Sequence, residues 1–244
     1  MLGLGHGIHA ETVGPAGIFR NNYSILLDGV NDYIVIDTVV DRVDTDKGTF
    51  SIWIKFNGAT SINGIMIKSS VDSNNQLSIM YLNSSTKFRF QYKAGGTVKN
   101  VDVTTSEEID GNWTHLAMTW DTGEDELKGY VNGSQVESTV SSLGTFSGTL
   151  DKSYMGANTL AANSYFKGYI DEASVFTEVV NIDHLYNGGN PKDVEFSSLP
   201  GLIGYWRFTE GTGTSIGDES GNSNTGTLTN GAAWSTETPE SATE

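Results

Sequence analysis

Thr49-Phe50-Ser51-Ile52-Trp53-Ile54-Lys55-Phe56 settles the class of fold. Phe50, Ile52, Ile54 and Phe56 fall on one side of an extended chain, and Ser51, Trp53 and Lys55 on the other. An apolar period of two belongs to a half-buried β-strand, not to a helix. The pattern returns in Lys87-Phe88-Arg89-Phe90-Gln91-Tyr92, whose aromatic residues point one way and whose polar residues point the other. Outward from these two, strand-like segments recur between breaks of Gly, Asn, Asp and Ser: Tyr23–Leu27, Asp32–Ile36, Gly64–Lys68, Gln76–Tyr81, Thr114–Trp120, Glu126–Val131, Gln135–Val140, Ser153–Gly156, Tyr165–Ile170 and Ile203–Phe208. Asn132-Gly133 predicts a tight hairpin, since both residues tolerate positive φ. One helix is expected, over Val180–Gly189, capped by Asn181 and ended by Gly188-Gly189. Many short strands with glycine-rich turns imply an all-β antiparallel sandwich or barrel.

The totals narrow the possibilities. A chain of 244 residues suits one large β domain. Thirty acidic residues face 14 basic ones, for a net charge of −16. That balance argues against nucleic acid as a partner, which needs a basic patch, and against an anionic membrane surface. With no cysteine, disulfides and thiolate metal sites are excluded. Residues 1–22 are glycine-rich and aperiodic and are expected to form an arm that orders against a partner; the opening has no positive n-region or long apolar run and does not read as a signal peptide. Residues 23–234 are expected to form the sandwich, and 235–244 an acidic, solvated tail.

Five pieces, in order, resemble the laminin-G-like branch of the concanavalin A-like lectin/glucanase superfamily: Leu27-Asp28-Gly29-Val30-Asn31-Asp32-Tyr33-Ile34; Phe50–Lys55; Asn112-Trp113-Thr114-His115-Leu116-Ala117; Tyr130-Val131-Asn132-Gly133; and Gly168-Tyr169-Ile170-Asp171-Glu172. The resemblance implies a concanavalin A-like jelly roll, which usually displays a binding surface. One departure stands out. Gly204-Tyr205-Trp206-Arg207-Phe208 through Gly226-Thr227-Leu228 usually opens such domains and here comes last. A circular rearrangement and a truncated second copy would both produce that order. The arrangement, with its Met1-Leu2-Gly3-Leu4-Gly5 opening, is also similar to structural proteins of tailed phages.

Candidate sites follow. Asp28 and Asp32 flank a tight turn, and in related sandwiches the Ile-Asp-Glu strand lies beside it, which would bring in Asp171. Such a carboxylate set suits Ca²⁺, which wants six to eight oxygens; the alternative is that the two aspartates cap the turn through backbone amides. Asp218, Ser220, Asn222 and Asn224 alternate around Gly221 in the manner of a calcium loop, without a closing bidentate Glu; here an Asx-rich hydrogen-bonded loop is the alternative. Trp53, Trp113, Trp120 and Trp206 sit in core-like strands and are expected to pack inside with bonded indole N–H groups. A glycan face is expected on loops and outward strand positions: Asn74, Asn75, Tyr81, Arg89, Gln91 and Asn158. Related glucanases carry Glu-x-Asp-x-x-Glu; Glu108-Ile109-Asp110 begins that pattern, but Trp113 occupies the last position, so no catalytic pair is expected. His115 falls on a core position of the family strand and is expected to be structural.

These features predict a non-catalytic protein. The leading expectation is a phage virion structural or decoration protein, docked with other virion proteins through the arm, oligomeric on the particle, its sandwich facing host-surface glycan. The alternative is a secreted or cell-surface bacterial carbohydrate-binding module.

Overall fold

A computed structural model describes residues 22–58, 63–105, 111–158, 160, 164–191 and 199–239. In chain order the strands are β1 (Ser24–Asp28), β2 (Tyr33–Val35), β3 (Lys47–Phe56), β4 (Gly64–Asp72), β5 (Asn75–Leu82), β6 (Lys87–Ala94), β7 (Thr97–Thr104) and β8 (Trp113–Asp121). They continue with β9 (Glu126–Val131), β10 (Ser134–Val140), β11 (Lys152–Met155), β12 (Lys167–Phe176), β13 (Leu202–Trp206), β14 (Ser215–Ile216), β15 (Gly226–Thr229) and β16 (Ala233–Ser235). Among the described residues one short α-helix, α1 (Ile182–Tyr186), falls between β12 and β13. The strands pair antiparallel in two sheets. The first runs β10-β9-β8-β3-β12-β1-β16, with β13 also on β12, and the second β14-β15-β2-β11-β4-β5-β6-β7. This is the two-layer sandwich expected of the sequence.

The core lies between the sheets. Phe50, Ile52, Ile54 and Phe56 of β3 meet Phe88, Phe90 and Tyr92 of β6 within one cluster of buried side chains. The other side of β3 departs from expectation. It is buried too, because a second cluster of Ala117, Phe176, Val180, Ile182, Leu185 and Tyr205 covers the outer surface of the first sheet. Helix α1 supplies Ile182 and Leu185. The Asn181 side chain accepts from the Asp183 amide at its start, and Asn187 ends it with φ 46°. The β9–β10 turn is as predicted, with φ 48° at Asn132 and 78° at Gly133.

The order of the chain explains the displaced segment. The first half of β12 pairs with β1 and the second half with β13, both along the edge opposite β3. Between them β12 bulges at Asp171-Glu172, where Glu172 takes φ 45°. Glu172 accepts hydrogen bonds from the Tyr205 hydroxyl and, at 3.4 Å, from Arg207 Nε. The Gly-Tyr-Ile-Asp-Glu strand therefore grips the Gly-Tyr-Trp-Arg strand directly. Beyond it β15 pairs with β2 and β16 with β1. The end of the sequence completes both sheets beside its beginning. Pairing of this kind is what a circular rearrangement of the sandwich would give.

The sequence places a solvated tail from residue 235, and the structure corrects it for residues 235–239. Ser235 pairs with Ser24, Glu237 bonds the Lys55 ammonium at 2.9 Å, and Thr238 is buried. Removing residues 199–239 takes Trp206, Phe208, Ile216 and Leu228 out of the core. Truncating one large buried side chain costs about 2–5 kcal/mol, against a total stability of about 5–15 kcal/mol. The shortened chain is expected to show no cooperative urea transition by tryptophan fluorescence.

Candidate functional site

Asp28 and Asp32 do share a turn, and its amides occupy them. Asp28 Oδ1 accepts from the Val30 and Asn31 amides at 2.7 and 3.3 Å, and Asp32 Oδ2 accepts from the Asp28 amide at 3.1 Å. Slight burial pushes the Asp28 carboxyl up, but these amides outweigh it and hold it below the usual range. Burial pushes the Asp32 carboxyl up. Asp171 does not join them. Register places Asp28 opposite Lys167 and Ile25 opposite Ile170, so Asp171 lies four residues further along, about 13 Å at 3.3 Å per residue. It is buried at the bulge, where its Oδ1 accepts from the Glu172 amide.

Asp218 organises the second loop. Its Oδ1 accepts from the Tyr205 and Ser220 amides, both at 2.9 Å, and its Oδ2 from Ser220 Oγ and the Asn224 amide, both at 2.8 Å. Asn222 donates to the Leu202 carbonyl and accepts from Arg42. Asn224 donates to the Ile203 carbonyl at 2.7 Å. The loop thus straps β13 in place, the Asx-turn role that short polar side chains fill. Among the described residues, no three His, Asp or Glu side chains converge in a way that would hold a metal.

The tryptophans split. Trp120 and Trp206 are fully buried, donating to the carbonyls of Asp44 and Asn224. Trp53 packs under Tyr186, ring centroids 5.8 Å apart and nearly parallel. Trp113 is half-buried, and its indole nitrogen has no hydrogen-bond partner among the described residues. Beside Trp53, Ser51 Oγ and His115 Nε2 lie 2.8 Å apart, the spacing of a nucleophile and base. Both are sealed beneath the second cluster, so the pair is structural. Residues 108–110 lie outside the described residues.

The outer face of the second sheet carries three of the six expected glycan residues, Arg89, Gln91 and Asn158. Because Phe88, Phe90 and Tyr92 point inward, Arg89 and Gln91 point outward. Arg89 grips Asp102 of β7 through two bonds of 2.7 Å, and Gln91 donates to Asn100 at 2.9 Å. Asn158 Oδ1 accepts from Lys68 of β4 at 2.7 Å. Two expectations fail here. Tyr81 shares parity with Leu77 and Ile79, so it turns inward, packing edge-on against Phe56 and Phe88. Asn75 is buried and structural, accepting from the Gly95 and Ser147 amides. Asn74 sits exposed in the β4–β5 turn, its amide bonded to Asp72.

Sequence reasoning missed the middle of this face. Lys68 pairs across the sheet with Ser78 of β5 on one side and Tyr154 of β11 on the other. Both Lys68 and Ser78 are almost wholly buried, at 2% and 0% exposure. Tyr154 rests against Tyr33, ring centroids 5.1 Å apart. Burial, and then the neighbouring Lys93, push the Lys68 ammonium down to about 8. The alternation of β5 was the signal: Ser78 lies between inward Leu77 and Ile79.

A family model described as the concanavalin A-like lectin/glucanases superfamily matches residues 28–185, most of the two sheets. The chain belongs to the concanavalin A-like lectin/glucanase superfamily, in its laminin-G-like branch. The match stops before β13–β16, the segment that sits last here. No curated protein matches the sequence. Solved structures of the same fold include a Bacteroides ovatus protein ascribed a carbohydrate-binding role, at 14% identity and a TM-score of 0.59, covering 88% of this chain and 59% of its own. The CBM40 module of a Ruminococcus gnavus IT-sialidase matches at 15% identity and 0.55, covering 67% of this chain and 95% of its own. A heptameric SAP-like pentraxin from Limulus polyphemus matches at 13% and 0.55, covering 87% and 96%. At these identities the likeness establishes the lectin-like sandwich. Among the described residues, no helix of this superfamily member is long and apolar enough to cross a membrane.

Proposed function

We propose that the protein is a non-catalytic carbohydrate-binding module that holds glycan on the outer face of its second sheet. The observation that carries this reading is the fixed polar row of that face: Arg89–Asp102, Gln91–Asn100 and Lys68–Asn158, beside the Tyr33–Tyr154 ring pair. A pyranose offers adjacent hydroxyls to planar polar groups and an apolar face to an aromatic ring, and binding sites combine a few convergent polar groups with such surfaces. The carbohydrate-binding role ascribed to the Bacteroides ovatus protein and the sialyllactose-bound form of the Ruminococcus gnavus CBM40 module support it. Such a module would act outside the cell. Particle docking, the leading expectation from sequence, rests on residues 1–22, nearly all beyond the described residues, and stands behind this reading.

The test is a glycan microarray probed with the purified protein, followed by calorimetry on the strongest hits. Binding of at least one glycan class is expected, weakened about tenfold, or 1.4 kcal/mol, by Gln91→Ala with Asn100→Ala. The bound glycan should be recovered intact by mass spectrometry; cleavage would overturn the non-catalytic part. A blank array would sink the reading. Calcium is the weaker proposal, because backbone amides already occupy Asp28, Asp32 and Asp218. If the ion binds, adding Ca²⁺ after chelation raises Tm in proportion to the logarithm of its concentration; an unchanged Tm removes it.

A further inference from the structure

We propose that Lys68 and Ser78 form an anion subsite on this face, so that the glycan held there carries an acidic group, a carboxylate or a sulfate. The inference rests on the carbohydrate-binding reading and names the class of its ligand.

Lys68 is 2% exposed, and its ammonium donates to the neutral amide oxygen of Asn158. Five ion pairs occur among the described residues, through Lys47, Lys55, Arg89, Lys128 and Arg207; none includes Lys68. Two other lysines of this face have acidic company, Lys93 near Asp72 and Lys152 near Asp37. The charge that acts on Lys68 is a second cation, Lys93. Buried charges are normally paired, because a buried ammonium with no counter-charge is costly. This one sits in a protein whose net charge is −16.

Ser78 supplies the second, independent observation. It faces Lys68 directly across the β4–β5 ladder, is fully buried, and its hydroxyl has no hydrogen-bond partner among the described residues. An ammonium has three N–H donors and a hydroxyl one O–H. What the neighbouring groups lack together is a negatively charged oxygen acceptor. A neutral sugar hydroxyl would satisfy Ser78 but leave the charge uncompensated. A carboxylate or sulfate satisfies both, and would draw the Lys68 ammonium, held near 8 by burial, back toward its charged form.

The experiment uses the full chain with matched glycans: lactose, 3′-sialyllactose and 3′-sulfolactose, together with neutral and uronate oligosaccharides that hit on the array. The acidic member of the best pair is expected to bind at least tenfold more tightly than its neutral counterpart. The sialyl, sulfo and uronate arms tell carboxylate from sulfate. Lys68→Met should remove that preference, so that the acidic and neutral members of the pair bind with similar affinity. Ser78→Ala should weaken acidic binding severalfold while leaving stability unchanged or raised, since it deletes an unbonded buried hydroxyl. It carries the test should Lys68→Met fail to fold. Equal affinity for neutral and acidic partners would overturn the anion subsite while the module reading stands. Acidic preference that survives Ser78→Ala and Lys68→Met would also overturn it, by placing the subsite elsewhere. Absence of all glycan binding would overturn both.

Discussion

Gly168→Ala is expected to cost about 3 kcal/mol or more, near the upper end for a single substitution. Gly168 takes φ 153°, and a Cβ there would stand 2.2 Å from the Lys55 carbonyl oxygen and 2.7 Å from the Phe166 ring. Neither can retreat cheaply. The carbonyl belongs to β3, the central partner of β12, and Phe166 is packed in the core against Phe56. The first turn of the Gly-Tyr-Ile-Asp-Glu strand would have to separate from β3, and the bulge that holds Tyr205 and Arg207 lies only a few residues on. Gly188→Ala is the control. It shares a positive φ, 64°, but its Cβ would meet nothing within 4 Å, so the cost should stay near the 1–2 kcal/mol of a left-handed backbone alone. Urea midpoints for the two variants should differ clearly; equal midpoints would show that β12 can shift without loss.

Acid should weaken the fold well before its carboxylates are titrated. Burial pushes the His115 imidazole down to about 3, whereas an exposed imidazole titrates near 6.5. The unfolded chain therefore takes up a proton below about pH 6.5 that the folded chain refuses until about pH 3. Stability is complete above 6.5 and falls as pH drops toward 3, at a limiting slope of about 1.4 kcal/mol per pH unit. Asp32, Asp37 and Glu219, whose carboxyls are raised chiefly by burial, act in the opposite sense. Between pH 6.5 and 5 the difference between the native protein and His115→Gln isolates the His115 slope. Urea unfolding across that interval measures it. His115→Gln should be less stable at neutral pH, because Ser51 loses its partner, yet show a flatter profile. A slope that persists in the variant would assign the acid sensitivity to another group.

The sheets were legible in the sequence because alternation is a local property. Phe50 to Phe56 and Phe88 to Tyr92 state their own facing, and Asn132-Gly133 states its own turn. The outer burial of β3 was not legible. It depends on α1 and β13, which arrive more than a hundred residues later and cover Ser51 and Trp53 from the far side. Among the site residues, Arg89 and Gln91 were readable from parity. Tyr81 was misread because a tyrosine suggests an amphipathic surface, while its neighbours Leu77 and Ile79 already fixed it inward. Asp171 was misplaced because its distance from Asp28 is set by antiparallel register, which no single strand encodes. Lys68 was passed over because a lysine in an alternating strand reads as solvated. Its neighbours across the sheet, Ser78 of β5 and Tyr154 of β11, come from strands far apart in the sequence.

The pairing of the last strands with the first has a consequence for how the molecule is made. Ser24 bonds the carbonyl of Glu237, 213 positions away. During synthesis β1 and β2 leave the ribosome early, with one edge of each unpartnered until residues 226–235 follow. Open strand edges invite pairing with other chains, and contacts so distant in sequence form slowly. Neither sheet can be completed while the end of this segment is still inside the exit tunnel. Those edges stay open until that segment has emerged, and a protein this acidic shields them in part itself, through the mutual repulsion of its own unfinished copies.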